Sequence, residues 1–322
     1  ADVAMELRAV PDVPGEVAPD VTAPSGPVVE TASGAVRGVD EDGYRAYLGI
    51  PFAAPPVGDL RWAPPEAVEP WAGVRDATAF GAVCPQASAF AWVQVQDADE
   101  DCLYVNVWTP ADVDDAPVMV WIHGGGFMFG AGHLPTYWGH ELARKGVVVV
   151  TFNYRVGPLG FLAHPDIGAG NWGLMDQQAA LRWVQDNIAG FGGDPDNVTI
   201  FGESAGAVSV CTHMVMTGAE GLFHRAIMES GICGVVDTPA QAATLGGQFS
   251  AAVGCAGVAD AAACLRAVPA EDAVNALPMA KALFFGGGVR WGPSRDGALV
   301  TGQPAVQMFT GQGVRVPTIL GS

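Results

Sequence analysis

Positive charge is scarce in this sequence. Its 322 residues hold 15 Lys and Arg against 34 Asp and Glu, a formal net charge of −19. A surface of that sign repels phosphate backbones and anionic lipid, so neither nucleic acid nor a membrane surface is expected as a partner. Charged residues of both signs make up only 15% of the chain and hydrophobic residues 50%, against about 25% charged in average proteins. That balance excludes general disorder and leaves a globular chain able to bury a substantial core. Apolar runs of the roughly 18 residues that cross a bilayer are missing, so no membrane insertion is expected. No CxxC pair or Cys/His cluster suggests a metal site, and none is expected.

What is present begins without Met, at Ala1-Asp2-Val3-Ala4. Such a start suggests processing, and with it a secreted or extracellular protein. Residues 1–27 read as a flexible arm rich in Pro and acidic residues. Six cysteines, Cys84, Cys102, Cys211, Cys233, Cys255 and Cys264, suggest an oxidising compartment and disulfides, with buried free thiols as the alternative. Their pairing is open; Cys84 with Cys102 and Cys255 with Cys264 would close short loops.

From Val28 onward, short apolar strands separated by Gly/Pro turns give way to strands alternating with helices. Val118-Met119-Val120-Trp121-Ile122 and Val147–Phe152 read as strands buried on both faces. Helical spacing runs from about Asp176 to Ile188. A loop over Gly192–Asn197 then feeds the strand Val198–Phe201, a helical pattern runs on to about Met216, and Ala226–Met228 and Val316–Leu320 read as further strands. The stretch from about Gln241 to Leu283 is Ala-rich and helical. Alternation of this kind predicts an α/β fold with a largely parallel central sheet.

Gly202-Glu203-Ser204-Ala205-Gly206 sits between a strand and a helix, the context a GxSxG nucleophile turn requires. Serine on so sharp a turn needs an unusual backbone, and the flanking glycines avoid clashes with strand and helix. Ser204 is therefore the candidate nucleophile. Carbonyl attack develops a negative oxygen that needs backbone N–H donors, one of them Ala205. The glycine loop His123-Gly124-Gly125-Gly126-Phe127, after the strand at 118–122, fits the remaining donors, each worth about 10²–10³ in rate. This loop has neither GK[ST] nor GxGxxG, which argues against phosphate binding. His123 is expected to brace the loop, because the motif order sets the base after Ser204.

Taken together, these features resemble the type-B carboxylesterases, the cholinesterase-like branch of the α/β-hydrolases. The motifs are Gly49–Gly58 with Leu60-Arg61-Trp62, Glu100–Trp108, Asn153–Gly157, Gly190–Pro195 and the Gly202–Gly206 turn. The resemblance implies an α/β-hydrolase fold, with a largely parallel sheet and helices on both faces, of which residues 28–322 form the N-terminal portion. It implies Ser204 as acyl acceptor, Gly125, Gly126 and Ala205 as oxyanion donors, and no cofactor. Disulfides Cys84–Cys102 and Cys255–Cys264 are implied, while Cys211 and Cys233 have no family assignment. Ion pairs Arg61–Glu100 and Arg155–Asp176 are implied as structural, and Glu203 as an acid that tunes the site. Phe127 and Phe129 are expected to line it. Trp92, in the loop of the first disulfide, matches a choline-binding Trp of cholinesterase relatives, with simple packing as the other reading.

One component is absent. Triad order in this fold is Ser, acid, His, yet none of the six histidines follows residue 224. His213 lies nine residues beyond Ser204, about 13 Å along a helix and too far to serve it. The expectation is that a Glu and a His come from a C-terminal segment of the same protein, with a separate chain as one form it takes. Esterase action on a small-molecule ester is the leading function; a non-catalytic adhesion or binding relative of the same fold is the alternative.

Overall fold

The structure, a computed structural model, describes residues 25–87, 97–231, 233, 236–278 and 289–322. Trp92 and the arm up to residue 24 lie outside the described residues. Strands are β1 (Val28–Thr31), β2 (Gly34–Arg37), β3 (Val39–Glu41), β4 (Tyr44–Pro51), β5 (Val74–Asp76), β6 (Tyr104–Pro110), β7 (Ala116–Ile122), β8 (Val148–Phe152), β9 (Gly193–Glu203), β10 (Arg225–Glu229) and β11 (Thr318–Gly321). Helices are α1 (His140–Ala143), α2 (Gly157–Phe161), α3 (Trp172–Asn187), α4 (Ala205–His213), α5 (Pro239–Ala252), α6 (Ala261–Ala267), α7 (Ala270–Asn275) and α8 (Pro304–Phe309).

An eight-stranded sheet runs in the order β11-β10-β9-β7-β8-β6-β4-β3. From β11 to β8 the neighbours are parallel; β6, β4 and β3 extend the sheet antiparallel. The centre is where the sequence is most β-branched. Val118 and Val120 of β7 pair with Val148 and Val150 on one side and with Val198 and Ile200 on the other. All six side chains are fully buried, as expected for parallel strands covered on both faces.

Helix α4 packs on β9, β10 and β7, so the residue at its N-terminus sits at the carboxyl end of the sheet. The Ala-rich stretch forms α5, α6 and α7. At the head of α5 the Thr238 hydroxyl accepts from Gln241 N, the Gln241 side chain accepts from Thr238 N, and Pro239 opens the helix, a reciprocal cap that satisfies otherwise unpaired donors.

One sequence expectation is corrected and one open pairing is resolved. The loop expected over Gly192–Asn197 is mostly strand, because β9 starts at Gly193, which pairs with Ala116 before a register shift. Asp194, Pro195 and Asp196 face outward enough to leave no apolar signal there. Cys211 and Cys233 are bonded to each other, alongside Cys84–Cys102 and Cys255–Cys264, so no described cysteine is free.

Both implied ion pairs form. Arg155 donates from Nε and Nη2 to the two Asp176 oxygens at 2.8 and 2.7 Å and joins the turn after β8 to α3 in the interior. Arg61 Nε donates to Glu100 at 2.6 Å. At the other extreme, β11 is exposed at all four residues, and Phe309 of α8 is 93% exposed. No helix among the described residues is long and apolar enough to cross a membrane.

Candidate active site

β9 delivers the chain into the Gly202–Gly206 turn with its last two residues paired to Met228 and Glu229 of β10. Ser204 takes φ 57° and ψ −118°, outside the ordinary wells of an L-residue. Its N–H donates to Glu229 O at 2.9 Å, and its carbonyl accepts from Val208 N at 3.1 Å, so strand and helix grip the turn from opposite sides. A Cβ at position 206 would stand 2.0 Å from Ile122 O, which is why only glycine fits there.

The glycine loop stands beside the turn. Gly125 has φ +105°, and a Cβ on it would meet Phe129 O at 2.0 Å; its carbonyl accepts from Met128 and Phe129 N–H. The N–H groups of Gly125, Gly126 and Ala205 have no acceptor among the described residues. Beneath the loop, buried His123 bonds through Nδ1 to Gly124 O at 2.8 Å. The Tyr154 hydroxyl donates to His123 O at 2.9 Å, and the two rings stack at 4.2 Å. Burial pushes His123 down to about 4, so it is neutral near pH 7 and braces the loop.

A cavity of about 530 Å³ opens over Ser204. Gly126, Phe127, Met128, Ala205 and Val208 line it, and Ser230, Gly231, Asp237, Leu245 and Trp291 are among the other lining residues. Gly125 is set one step back from this lining. Phe127 and Phe129 are both buried in the main core, and of the two only Phe127 is among the described residues that line the cavity. Glu203 is not part of the lining either. Its carboxyl packs against Gly124, 3.2 Å from where a Cβ there would stand. Burial pushes that carboxyl up, and Glu229, its register partner on β10, adds to the effect.

This second group of lining residues was not foreseen. Its residues come from the turn after β10, from α5 and from 289–293, three segments with no shared sequence pattern. The only available signal was general: loops at the carboxyl ends of parallel strands hold ligands.

No histidine lines the cavity. His213 is fully buried and bonds through Nε2 to Gln177 Oε1 at 3.0 Å, and burial lowers it to about 3. His224 accepts from Val198 N through Nδ1 at the middle of β9. His133 stacks on Phe80, while His140 and His164 lie beside Glu141 and Asp166.

Comparison with known proteins gives a consistent result. The profile of the carboxylesterase family matches residues 25–322. A para-nitrobenzyl esterase of Bacillus subtilis (strain 168) is 42% identical over 312 residues, covering 92% of this chain and 62% of the relative. A fumonisin B1 esterase of Sphingopyxis macrogoltabida is 50% identical over 213 residues, 63% of this chain and 39% of the relative. Among solved structures, a Geobacillus stearothermophilus carboxylesterase superposes with a TM-score of 0.82 at 42% identity, over 91% of this chain and 60% of that one. The chain thus spans less than two thirds of the length of these relatives.

Proposed function

This chain belongs to the carboxylesterase family and has its α/β-hydrolase fold, and from that premise we propose that it hydrolyses small carboxylic esters through an acyl-enzyme on Ser204. One observation carries the reading: Ser204 is held on its turn and lines the cavity together with Gly126 and Ala205, whose N–H groups have no acceptor among the described residues. Ser204 Oγ attacks the ester carbonyl carbon, and the oxygen takes the charge against the N–H groups of Gly125, Gly126 and Ala205. Collapse expels the alcohol and leaves the acyl group on Oγ; water then releases the acid. Glu203 tunes the site from behind the glycine loop, and Phe127 supplies apolar lining.

The proton taken from Oγ needs a base, and serine without one is a poor nucleophile at neutral pH. We assign that role to a His, oriented by a Glu, from a C-terminal segment of the same protein outside residues 1–322. Every histidine of the chain is engaged away from the cavity, and the exposed β11 edge and Phe309 offer an uncovered apolar flank for such a segment. A secreted or extracellular location is proposed on the strength of the three disulfides.

Hydrolysis of p-nitrophenyl esters graded in acyl length tests the reading. The full protein should turn them over, and Ser204→Ala should lose a factor on the order of 10⁴–10⁶ in kcat. Full turnover by residues 1–322 alone would overturn the assignment of the base. Ligand binding without turnover would favour a non-catalytic relative.

A further inference from the structure

The cavity over Ser204 has a polar wall that ester cleavage itself does not use. Asp237, Gln248 and Arg290 are among its lining residues. None of the three side chains has a hydrogen-bond or ion-pair partner among the described residues. Their backbones, by contrast, are tied down. Asp237 N donates to Pro293 O at 2.9 Å and Arg295 N donates to Asp237 O at 2.9 Å, which clips the segment carrying Arg290 to the segment carrying Asp237. Between these polar groups the wall is apolar, with Leu245, Val289 and Trp291.

Asp237 is half-buried, whereas Arg290 is exposed. Burial pushes the Asp237 carboxyl up, and the Arg290 charge draws it back down. The two opposite charges therefore sense each other, yet they form no ion pair within 4.0 Å. A ligand group in this cavity that engages both must accept from the guanidinium and donate to the carboxyl. A hydroxyl does both. A carboxylate meets the like charge of Asp237, and an ammonium meets that of Arg290. A methyl group strips water from both without replacing any hydrogen bond, which is unfavourable for polar groups left unpaired.

We propose that Asp237 and Arg290 select the substrate class, namely esters whose chain carries a neutral hydroxyl that bridges the two side chains. The inference rests on the ester-hydrolase reading of Ser204 and deepens it by naming the group recognised.

Binding separates this inference from the chemistry. Ketone analogues, with CH₂ in place of the ester oxygen, are not hydrolysed. They are prepared in graded chain lengths ending in hydroxyl, methyl, ammonium or carboxylate, one series on the acyl side and one on the alcohol side. Calorimetry uses the full protein carrying Ser204→Ala. In one of the two series the hydroxyl analogue should bind about ten-fold tighter than its methyl counterpart, the scale of a hydrogen bond to a charged group, and tighter than both charged analogues. Adding Asp237→Ala or Arg290→Ala should bring the hydroxyl-to-methyl ratio to about one, with affinity for the methyl analogue retained as proof of an intact fold. Asp237→Asn, which keeps a polar partner, should retain part of the preference. Equal binding of hydroxyl and methyl analogues in both series, a preference that survives both alanine variants, or tighter binding of a charged analogue would overturn the proposal. Turnover of simple alkyl esters without any hydroxyl preference removes this inference and leaves the esterase reading standing; a hydroxyl preference in binding without turnover does the reverse.

Discussion

Ser204 is kept in its unusual backbone conformation by the residues around it, and Gly206 is the tightest of them. An alanine there drives a methyl group to 2.0 Å from Ile122 O, so the turn or β7 must move. Gly206→Ala should lose about 1–3 kcal/mol of stability in urea unfolding, the usual scale of overpacking, and should acylate about 100-fold more slowly, since a displacement near 1 Å is enough for that. Wild-type values for both would contradict this account of the turn. The buried histidines carry a separate expectation. His123 falls from an ordinary 6.5 to about 4 on folding, so the unfolded chain binds a proton that the folded chain refuses. Its contribution is complete above about pH 6.5 and is lost as pH drops toward 4, to a total of roughly 3 kcal/mol. His213, lowered to about 3 by burial, acts in the same direction. The melting temperature should therefore fall between pH 6.5 and 4, and His213→Gln should flatten the fall. A flat profile in the wild type would show that neither group is buried neutral.

Helix α5 bears on the cavity through Leu245 and Gln248, and its first turn is set by the Thr238–Gln241 cap. Thr238→Ala should cost about 1 kcal/mol of stability in chemical denaturation, and no loss would show that the cap is idle. At this scale the sequence was legible where burial was symmetrical. β7 and β8 are continuous apolar runs because both faces are covered, and the helix after Ser204 follows its motif. The start of β9 was hidden because Gly193–Asn197 pairs through its backbone while its side chains carry no hydrophobic pattern. Phe127 and Phe129 show a similar limit: both are aromatic, buried and two residues apart, and no sequence pattern tells that Phe127, after a run of positive φ at Gly125, Gly126 and Phe127 itself, is the one that borders the cavity. The strained turn at Ser204 and the glycine loop beside it were legible because their geometry demands particular residues. Asp237 and Arg290 were not, because they reach one cavity only when the segment leading into α5 packs against residues 289–295, far along the chain.

Across the whole molecule, Cys211–Cys233 joins α4, directly behind Ser204, to the segment after β10 that borders the cavity. No local pattern reveals this pair, since the two residues approach only when α4 packs on β10. Replacing both by Ala removes a cross-link that closes a loop of 22 residues, worth about 3 kcal/mol in the chain-entropy account, and an unchanged denaturation midpoint would contradict that contribution. The central claim, however, is that this sheet exists to present one serine to an ester carbonyl. A fluorophosphonate probe reports on it most directly. After reaction with the full protein, peptide mass spectrometry should find a single adduct on Ser204, abolished in Ser204→Ala. Labelling on another residue, or none with the protein folded, would contradict it.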